Sequence, residues 1–449
     1  MNYDEALAYI HGTYKFGSKL GLVNIKTLLS KLGNPEKNLR VIHVAGTNGK
    51  GSVCSMLQSV LTAAGYQTGL YTSPYIQRFN ERIRINETVI PDEDLAALTA
   101  EVSRAVETML AEGHSHPTEF EIVTAIGFLY FAREQVDVLV LEVGLGGSGD
   151  STNVVDNPLA AVITPVDYDH MEYLGDTLAA IAGEKAGIIK ATRPVVVGRQ
   201  MPEAMDVIKA KAKVMKAPCY FAVPQKLEIH ESRLQGQVFS AVLNGVHYHQ
   251  VKVALPGLHQ VDNCLVALQV LQVLQAEGSL HVPQDAMRSG LEKVHWMGRL
   301  EILQQNPLFI IDGAHNLAGA RSLAGSIQLL LPEQKITFLT GMLADKDIRG
   351  ILKVLLPTVH QVVVTCPDNP RAMKAETLGR IIQEEFHADV EAVYVEPQPE
   401  KAAEKALAIT PVEGAVICAG SLYMLGQVRQ WVLEGRKEAS WIKTGTTLK

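Results

Sequence analysis

Two series of short apolar strands alternating with helix-compatible segments, and a glycine-rich turn joining the first strand to its helix, predict an α/β protein. At 449 residues the chain has room for two or three domains. The expected architecture is an N-terminal domain with a parallel sheet plus a small antiparallel sheet, residues 1–296, and a C-terminal Rossmann-like domain, residues 297–449.

Val41–Ala45 is an apolar run that stops at the glycine-rich turn. Beyond it Val53, Met56, Leu57, Val60, Leu61 and Ala64 recur at helical spacing, and Gly65 supplies the stop. Residues 69–72 form the next strand. Residues 136–143 read VDVLVLEV, the composition of a strand covered on both faces of a parallel sheet. Residues 159–166 and 194–198 add two more. From about 220 to 256 the runs are short and alternating, with Asn244-Gly245 as a hairpin signal, which predicts the antiparallel addition. A helix is expected over 261–274. The second series has strands at 308–312, 336–340, 361–366, 392–395 and 415–419, and residues 295–299 form the expected hinge. The chain shows no sequence repeat and no low-complexity tract.

Hydrophobic residues make up 47% and charged residues 20%, enough apolar side chains for sizeable cores and too few charges for wholesale disorder. The formal net charge of −7 argues against a protein built to coat nucleic acid. Cys54, Cys219, Cys264, Cys366 and Cys418 are scattered without a CxxC pair or zinc-ligand spacing, so reduced, mostly buried thiols are expected. Met1-Asn2-Tyr3-Asp4-Glu5 lacks the basic start of a signal peptide. No apolar run approaches the roughly 20 residues that span a bilayer. A soluble cytoplasmic protein without a membrane partner is expected.

The strongest local signal is Gly46-Thr47-Asn48-Gly49-Lys50-Gly51-Ser52, between a strand and an amphipathic helix. That is the context a phosphate-binding loop requires. Glycines let backbone N–H groups face phosphate oxygens, and the helix N-terminus adds partial positive charge. Lys50 would neutralise outer phosphates and Ser52 would lie near metal or phosphate, which makes the first domain P-loop ATPase-like. The spacing departs from GxxxxGK[ST], because two residues separate Gly46 from Gly49 and Gly51 splits Lys50 from Ser52. A glycine-rich turn that binds nothing is the alternative.

ATP chemistry needs Mg²⁺, a hard ion that prefers oxygen ligands. Glu142 ends a buried strand, where a carboxylate is costly unless it meets a cation. Asp169-His170 follows the next strand in the same way; alone, His170 would read as a hydrogen-bonded loop or core histidine. Lys185, by residue type, is a surface lysine on a helix. It could join a metal site only without its charge or as a carbamate.

These segments together resemble the folylpolyglutamate synthase family, whose bacterial members are often also dihydrofolate synthases and which belongs with the Mur-type ATP-dependent amide ligases. The resemblance rests on HVAGTNGKGS (43–52), YTSP (71–74), RFNERIRI (78–85), LEVGLGG (141–147), DH (169–170) and EKAGIIK (184–190). It continues through GLHQVDN (257–263), MGRLEIL (297–303), DGAHN (312–316), GMLADKD (341–347) and GSLYMLG (420–426), in order and almost to the C-terminus.

The resemblance implies that Thr47, Asn48, Gly49, Lys50, Gly51 and Ser52 hold ATP phosphates, with Asn263 at the adenine and Arg299 and Asp312 at phosphate and ribose. For Arg299 the alternative is an interdomain salt bridge. Magnesium falls to Ser73, Glu142, His170 and Lys185, the last as a carbamate. The pterin side maps onto Thr118, Phe120, Asp150 and Ser151. Phe120 can cover a flat ring or serve as helix core, and Asp150 can accept paired hydrogen bonds from an amino-pyrimidine edge. His315 and Asn316, with Ser421, resemble the glutamate-binding residues. The first domain would thus bind ATP and folate and the second L-glutamate. Three departures stand out. The family's GGRLDATN is here Gly146-Gly147-Ser148-Gly149-Asp150-Ser151-Thr152-Asn153, Tyr75 replaces a histidine, and Leu317 replaces a proline.

The implied reaction activates a folate carboxylate as an acyl phosphate, which the amino group of glutamate then attacks. Lys50, Lys185, Arg299 and His315 are the candidate catalytic residues, His315 as the base. The acid is a reduced folate such as tetrahydrofolate, or dihydropteroate, and a monomer is expected. The rival readings are a Mur-type ligase acting on a cell-wall precursor and an ATP-dependent binding protein that ligates nothing.

Overall fold

The computed structural model describes residues 1–17, 20–387 and 389–444, with side chains described as far as residue 435. Residues 445–449 of the expected second domain lie outside the described residues.

β1 (Val41–Ala45), β2 (Thr68–Tyr71), β3 (Ile83–Ile85), β4 (Thr88–Val89), β5 (Val138–Glu142), β6 (Ala160–Ile163), β7 (Val195–Val197) and β8 (Cys219–Phe221) form one sheet in the order β4-β3-β2-β5-β1-β6-β7-β8. All neighbours are parallel except β3 and β4, an antiparallel hairpin on one edge. Successive side chains of a strand face opposite sides. On β1, Ile42 and Val44 pack with Val53 and Leu57 of the helix Lys50–Ala63 and with Val266 and Val270 of His259–Ala276. Val41 packs on the other side with Ile122 and Ile126 of Glu119–Arg133. Both faces are covered, as the apolar composition of β1 and β5 requires.

β9 (Lys226–Arg233), β10 (Gly236–Leu243) and β11 (Val246–Val253) make the small antiparallel sheet, with Asn244-Gly245 at the turn between β10 and β11. Phe239, Ala241, Leu243, Tyr248, Val251 and Val253 seat it on the helical layer above β1. One expectation is corrected here. Tyr220 belongs to β8 and pairs with Val196 in the parallel sheet, so the antiparallel unit begins at Lys226. A three-residue strand is too short to show its period, so only its partner reveals its type.

The second lobe is a six-stranded sheet of β12 (Glu301–Gln305), β13 (Leu308–Ile311), β14 (Ile336–Thr340), β15 (Gln361–Val364), β16 (Ala392–Val395) and β17 (Ala415–Ala419). Its order is β12-β13-β17-β14-β15-β16, with only β12 antiparallel. Separate cores flank it on either face. The linker carries positive φ at Gly298 (66°) and at the buried Leu300 (46°), a conformation a γ-branched residue seldom adopts. Leu300 N donates to Asp312 Oδ2 at 3.0 Å, which holds the bend.

Candidate active site

The carboxyl ends of β1, β2, β5 and β6 face the carboxyl ends of β13 and β17 across the junction, where open α/β sheets place ligands. After β1 the chain turns through Gly49 (φ 86°) into the helix Lys50–Ala63. A side chain at position 49 would put Cβ 2.3 Å from Asn263 Oδ1, so the tight turn requires glycine. No side chain caps this helix, which leaves its first amides open to an anion. Thr47 N and Asn48 N donate to Pro165 O at 2.9 and 3.3 Å, and Thr47 Oγ1 donates to Asp167 O at 2.9 Å, tying the loop to the segment after β6. Lys50 Nζ donates to the carbonyls of Gly46 and Thr47, both at 3.1 Å. Asn263 is buried with its Nδ2 on Gln260 Oε1 at 3.0 Å.

Glu142 is buried at the end of β5, where its Oε2 accepts from Ser73 N at 3.2 Å. Burial pushes its pKa up, while Lys50, the Ser73 amide and Arg299 pull the other way. Lys185 is buried too, 5% exposed, and is not the surface lysine its residue type suggests. Its Nζ donates to Gly46 O at 2.9 Å. Burial, with Lys50 adding like charge, lowers its pKa to about 7. His170, half-exposed with φ 52°, precedes the short helix Met171–Leu174. Loss of water draws its pKa down; Lys346 and Lys50 act in the same direction, and together they outweigh Asp169.

Among the described residues no three His, Cys, Asp or Glu side chains converge on one ion position. The expected set has only Glu142 and His170 of those types. Its remaining donors are the Ser73 hydroxyl and Lys185, and the chemistry fits Mg²⁺. A buried carboxylate lacks a cation in contact, and a lysine amine of lowered pKa is the form that takes up carbon dioxide to offer carbamate oxygens.

At the junction, Asp312 is buried and accepts from Leu300 N (3.0 Å) and Ala314 N (2.9 Å). Burial raises its pKa and Arg299 opposes this most strongly. Arg299 Nη1 donates to Gly298 O at 2.9 Å, and its charge also acts on Glu142 and His259. Asn316 caps the helix Leu317–Leu330 through Gly319 N at 2.8 Å, and its Nδ2 donates to Asn48 Oδ1 at 3.1 Å and Asp169 Oδ2 at 3.0 Å. His315 Nδ1 lies 2.8 Å from Gly313 O, leaving Nε2 3.8 Å from Asp169 Oδ2. Lys346 Nζ donates to Asp169 Oδ1 at 2.7 Å. Burial alone would raise the Asp169 pKa, but His315, His170 and Lys346 hold it well below the usual carboxylate range. The buried Ser421 Oγ, just after β17, has no hydrogen-bond partner among the described residues. Sequence reasoning missed Lys346 and the bond it makes, although the segment GMLADKD contains it.

On the opposite flank Thr118 caps the helix Glu119–Arg133, where its Oγ1 accepts from Glu121 N at 3.3 Å. The Phe120 ring lies over Gly144, where an added Cβ would come within 2.4 Å of it, and packs beside Tyr71. Asp150 is buried nearby. Its carboxylate already accepts from Leu145 N (2.8 Å), Thr152 N (3.0 Å) and Thr152 Oγ1 (2.5 Å). These bonds hold the loop after Gly147 in place. Ser151 is buried in the next turn. The Ser148-Gly149 departure has a steric reason. Gly21 N donates to Gly149 O at 2.9 Å, and a Cβ on Gly149 would lie 3.0 Å from Gly21 N and Leu20 Cβ.

Residues 44–271 match the Mur ligase middle domain and residues 298–422 the Mur ligase glutamate ligase domain. The chain is 39% identical to the dihydrofolate synthase/folylpolyglutamate synthase of Bacillus subtilis, over 95% of this chain and 98% of that one. It belongs to the folylpolyglutamate synthase family of Mur ligases. As a member it is an ATP-dependent ligase that uses Mg²⁺. The Lacticaseibacillus casei folylpolyglutamate synthase is also 39% identical, over 97% of this chain and all of its own. A Mycobacterium tuberculosis folylpolyglutamate synthase structure, complexed with ADP and AMPPCP, superposes with a TM-score of 0.87 at 33% identity, covering 96% of this chain and 99% of that one. The Escherichia coli FolC complex with DHPP and ADP gives 0.86 at 30% identity, covering 97% and 99%.

Proposed function

We propose that this ligase adds L-glutamate to tetrahydrofolate through an acyl phosphate, and that it accepts dihydropteroate as a second acid. The observation that carries the reading is the arrangement around Gly46. An open helix N-terminus, two lysines and a carboxylate without a cation gather on one lobe, facing His315, Asn316 and Ser421 on the other. The relatives named for both activities support the choice of acid. We place the division between an ATP- and folate-binding part and a glutamate-binding part at 296/297.

A carboxylate and an amine form a salt at neutral pH, so the acid must be activated. Its oxygen displaces ADP from the γ-phosphoryl group; the amine then attacks the carbonyl carbon and phosphate leaves. The loop amides and Lys50 bind the phosphates, and Arg299 beside Asp312 counters charge that builds on the transferring group. Bound Mg²⁺ would be held by Ser73, Glu142, His170 and carbamylated Lys185 and would neutralise phosphate charge. Phe120 covers the pterin ring, with Thr118, Asp150 and Ser151 beside it, while Asn263 steadies the loop near the adenine. His315, Asn316 and Ser421 bind glutamate, and His315 Nε2 takes the proton of the incoming amine. The enzyme acts as a cytoplasmic monomer without nucleic-acid or membrane partners; no described helix is long and apolar enough to cross a membrane.

The test offers tetrahydrofolate and dihydropteroate separately with ATP, Mg²⁺ and labelled glutamate, each acid carrying oxygen-18 in its carboxylate. Amide product with label in the released phosphate is expected for both. Phosphate without label overturns the acyl phosphate, and product from neither acid overturns the substrate assignment.

A further inference from the structure

Asp169 belongs to the first lobe but finds its strongest partners on the second. Its Oδ1 accepts from Lys346 Nζ at 2.7 Å, and its Oδ2 accepts from Asn316 Nδ2 at 3.0 Å and faces His315 Nε2 at 3.8 Å. The pair is well removed from water, with the Asp169 and Lys346 side chains 10% and 12% exposed. A second tie runs alongside, where Asn48 and Asn316 exchange carboxamide hydrogen bonds at 3.3 and 3.1 Å. On the far side of the junction Arg429 joins Glu301 at 2.9 Å and Gln77 at 2.6 Å, while Gly426 lies against Ile76, so the lobes also meet away from the reactive cleft. The linker between these two sets of contacts contains the positive-φ residues Gly298 and Leu300.

We propose that Asp169 is a positioning residue that draws the second lobe onto the phosphate loop, so that His315 and Asn316 reach the activated acid. The proposal rests on the amino-acid role given above to those two residues. A carboxylate suits the task for two reasons. It accepts the ammonium of Lys346 and the carboxamide of Asn316 at once, and its bond to a buried cation is strong only when the lobes exclude water. The hydrogen bond from Asn316 to Asn48 then fixes the amino-acid side at the very loop that holds the phosphates. Asp169 makes no covalent step. It decides whether the acyl phosphate meets an amine or meets water.

The experiment compares wild type with Asp169→Asn and Lys346→Met, which remove the same bond from opposite lobes, and with the double variant. Two readouts are taken: the ratio of ADP formed to amide formed with all substrates present, and the interlobe distance by energy transfer between dyes on the two lobes of the ligand-free protein. Each single variant is expected to raise the ADP-to-amide ratio at least tenfold and to widen the distance distribution. The double variant should resemble the worse single variant, because both act through one bond. Asp169→Glu should recover part of the coupling. The Mg²⁺ concentration that half-saturates ADP formation should stay within twofold of wild type, which separates the latch from damage at His170. An unchanged distance distribution together with an unchanged ratio overturns the proposal. If wild type makes no amide from either acid, the functional reading fails, yet the distance measurement still decides whether Asp169 closes the lobes.

Discussion

Lys50 and Lys185 donate to the same carbonyl oxygen, that of Gly46, at 3.1 and 2.9 Å. Burial first, and then repulsion from the Lys50 ammonium on the same acceptor, lowers the Lys185 pKa to about 7. The arrangement is relaxed when phosphate oxygens come to Lys50 and when Lys185 gives up its charge. Lys185→Ala should therefore be largely inactive. Short carboxylates added to the assay should restore part of the amide formation by occupying the vacated space. Full activity without them would make Lys185 a packing residue.

Lys50→Ala removes the ammonium that the phosphate loop holds through Gly46 O and Thr47 O. ADP formation at saturating substrate should fall by about 10²- to 10³-fold, the range for loss of one preorganised charge-stabilising donor. Near-normal turnover would take the loop out of the mechanism.

Among the described residues Glu142 accepts one hydrogen bond, from Ser73 N, and has no cation in contact. Glu142→Ala should raise the Mg²⁺ concentration needed for half-maximal activity by about tenfold or more, in keeping with the loss of one hard-ion ligand worth some 1.4 kcal/mol. A metal titration that overlays the wild-type curve would refute the ligand role.

Gly149→Leu, which restores the bulk usual in the family, forces a side chain into the space held by Gly21 and Leu20. The KM for the pterin acid should rise about tenfold, equal to about 1.4 kcal/mol, while those for ATP and glutamate stay put. Equal changes in all three constants would show that the substitution unfolds the loop instead of reshaping it.

His43 supplies a pH dependence of stability. It is fully buried in β1 with Nε2 2.8 Å from Thr152 Oγ1, and burial, then Lys190, lowers its pKa from 6.5 to about 3. A base whose folded pKa is depressed favours the folded state above its unfolded pKa. As pH falls from 6.5 toward 3 the unfolded chain takes up a proton that the folded chain refuses. Stability should drop by about 1.4 kcal/mol per pH unit across that window. Denaturant unfolding at pH 7, 6 and 5 checks this, and His43→Gln should flatten the slope.

Most of the parallel strands were legible because their apolar runs are continuous, and several, such as β1 and β17, stop at glycine. β1, for example, spans the five residues expected. The hairpin turn Asn244-Gly245 was equally plain. The edge strands β3, β4 and β12 were not, since each is short or amphipathic and takes its identity from a partner elsewhere in the chain. Within the site, the glycines, Glu142 and His170 stood out through position at strand ends. The burial of Lys185 did not, because its helix carries ordinary residues and its neighbours come from a loop 139 residues away. The bond between Asp169 and Lys346 spans 177 residues and leaves no periodic trace at all.

Ser148 and Gly149 lie between β5 and β6 of the first lobe, whereas His315, Asn316 and Ser421 follow β13 and β17 of the other. Under the proposed assignment, drift in the loop holding Ser148 and Gly149 would retune which acid enters while the grip on the amine is left alone. A lineage can gain or lose one acceptor through a few surface replacements, without rebuilding the machinery that spends the nucleotide.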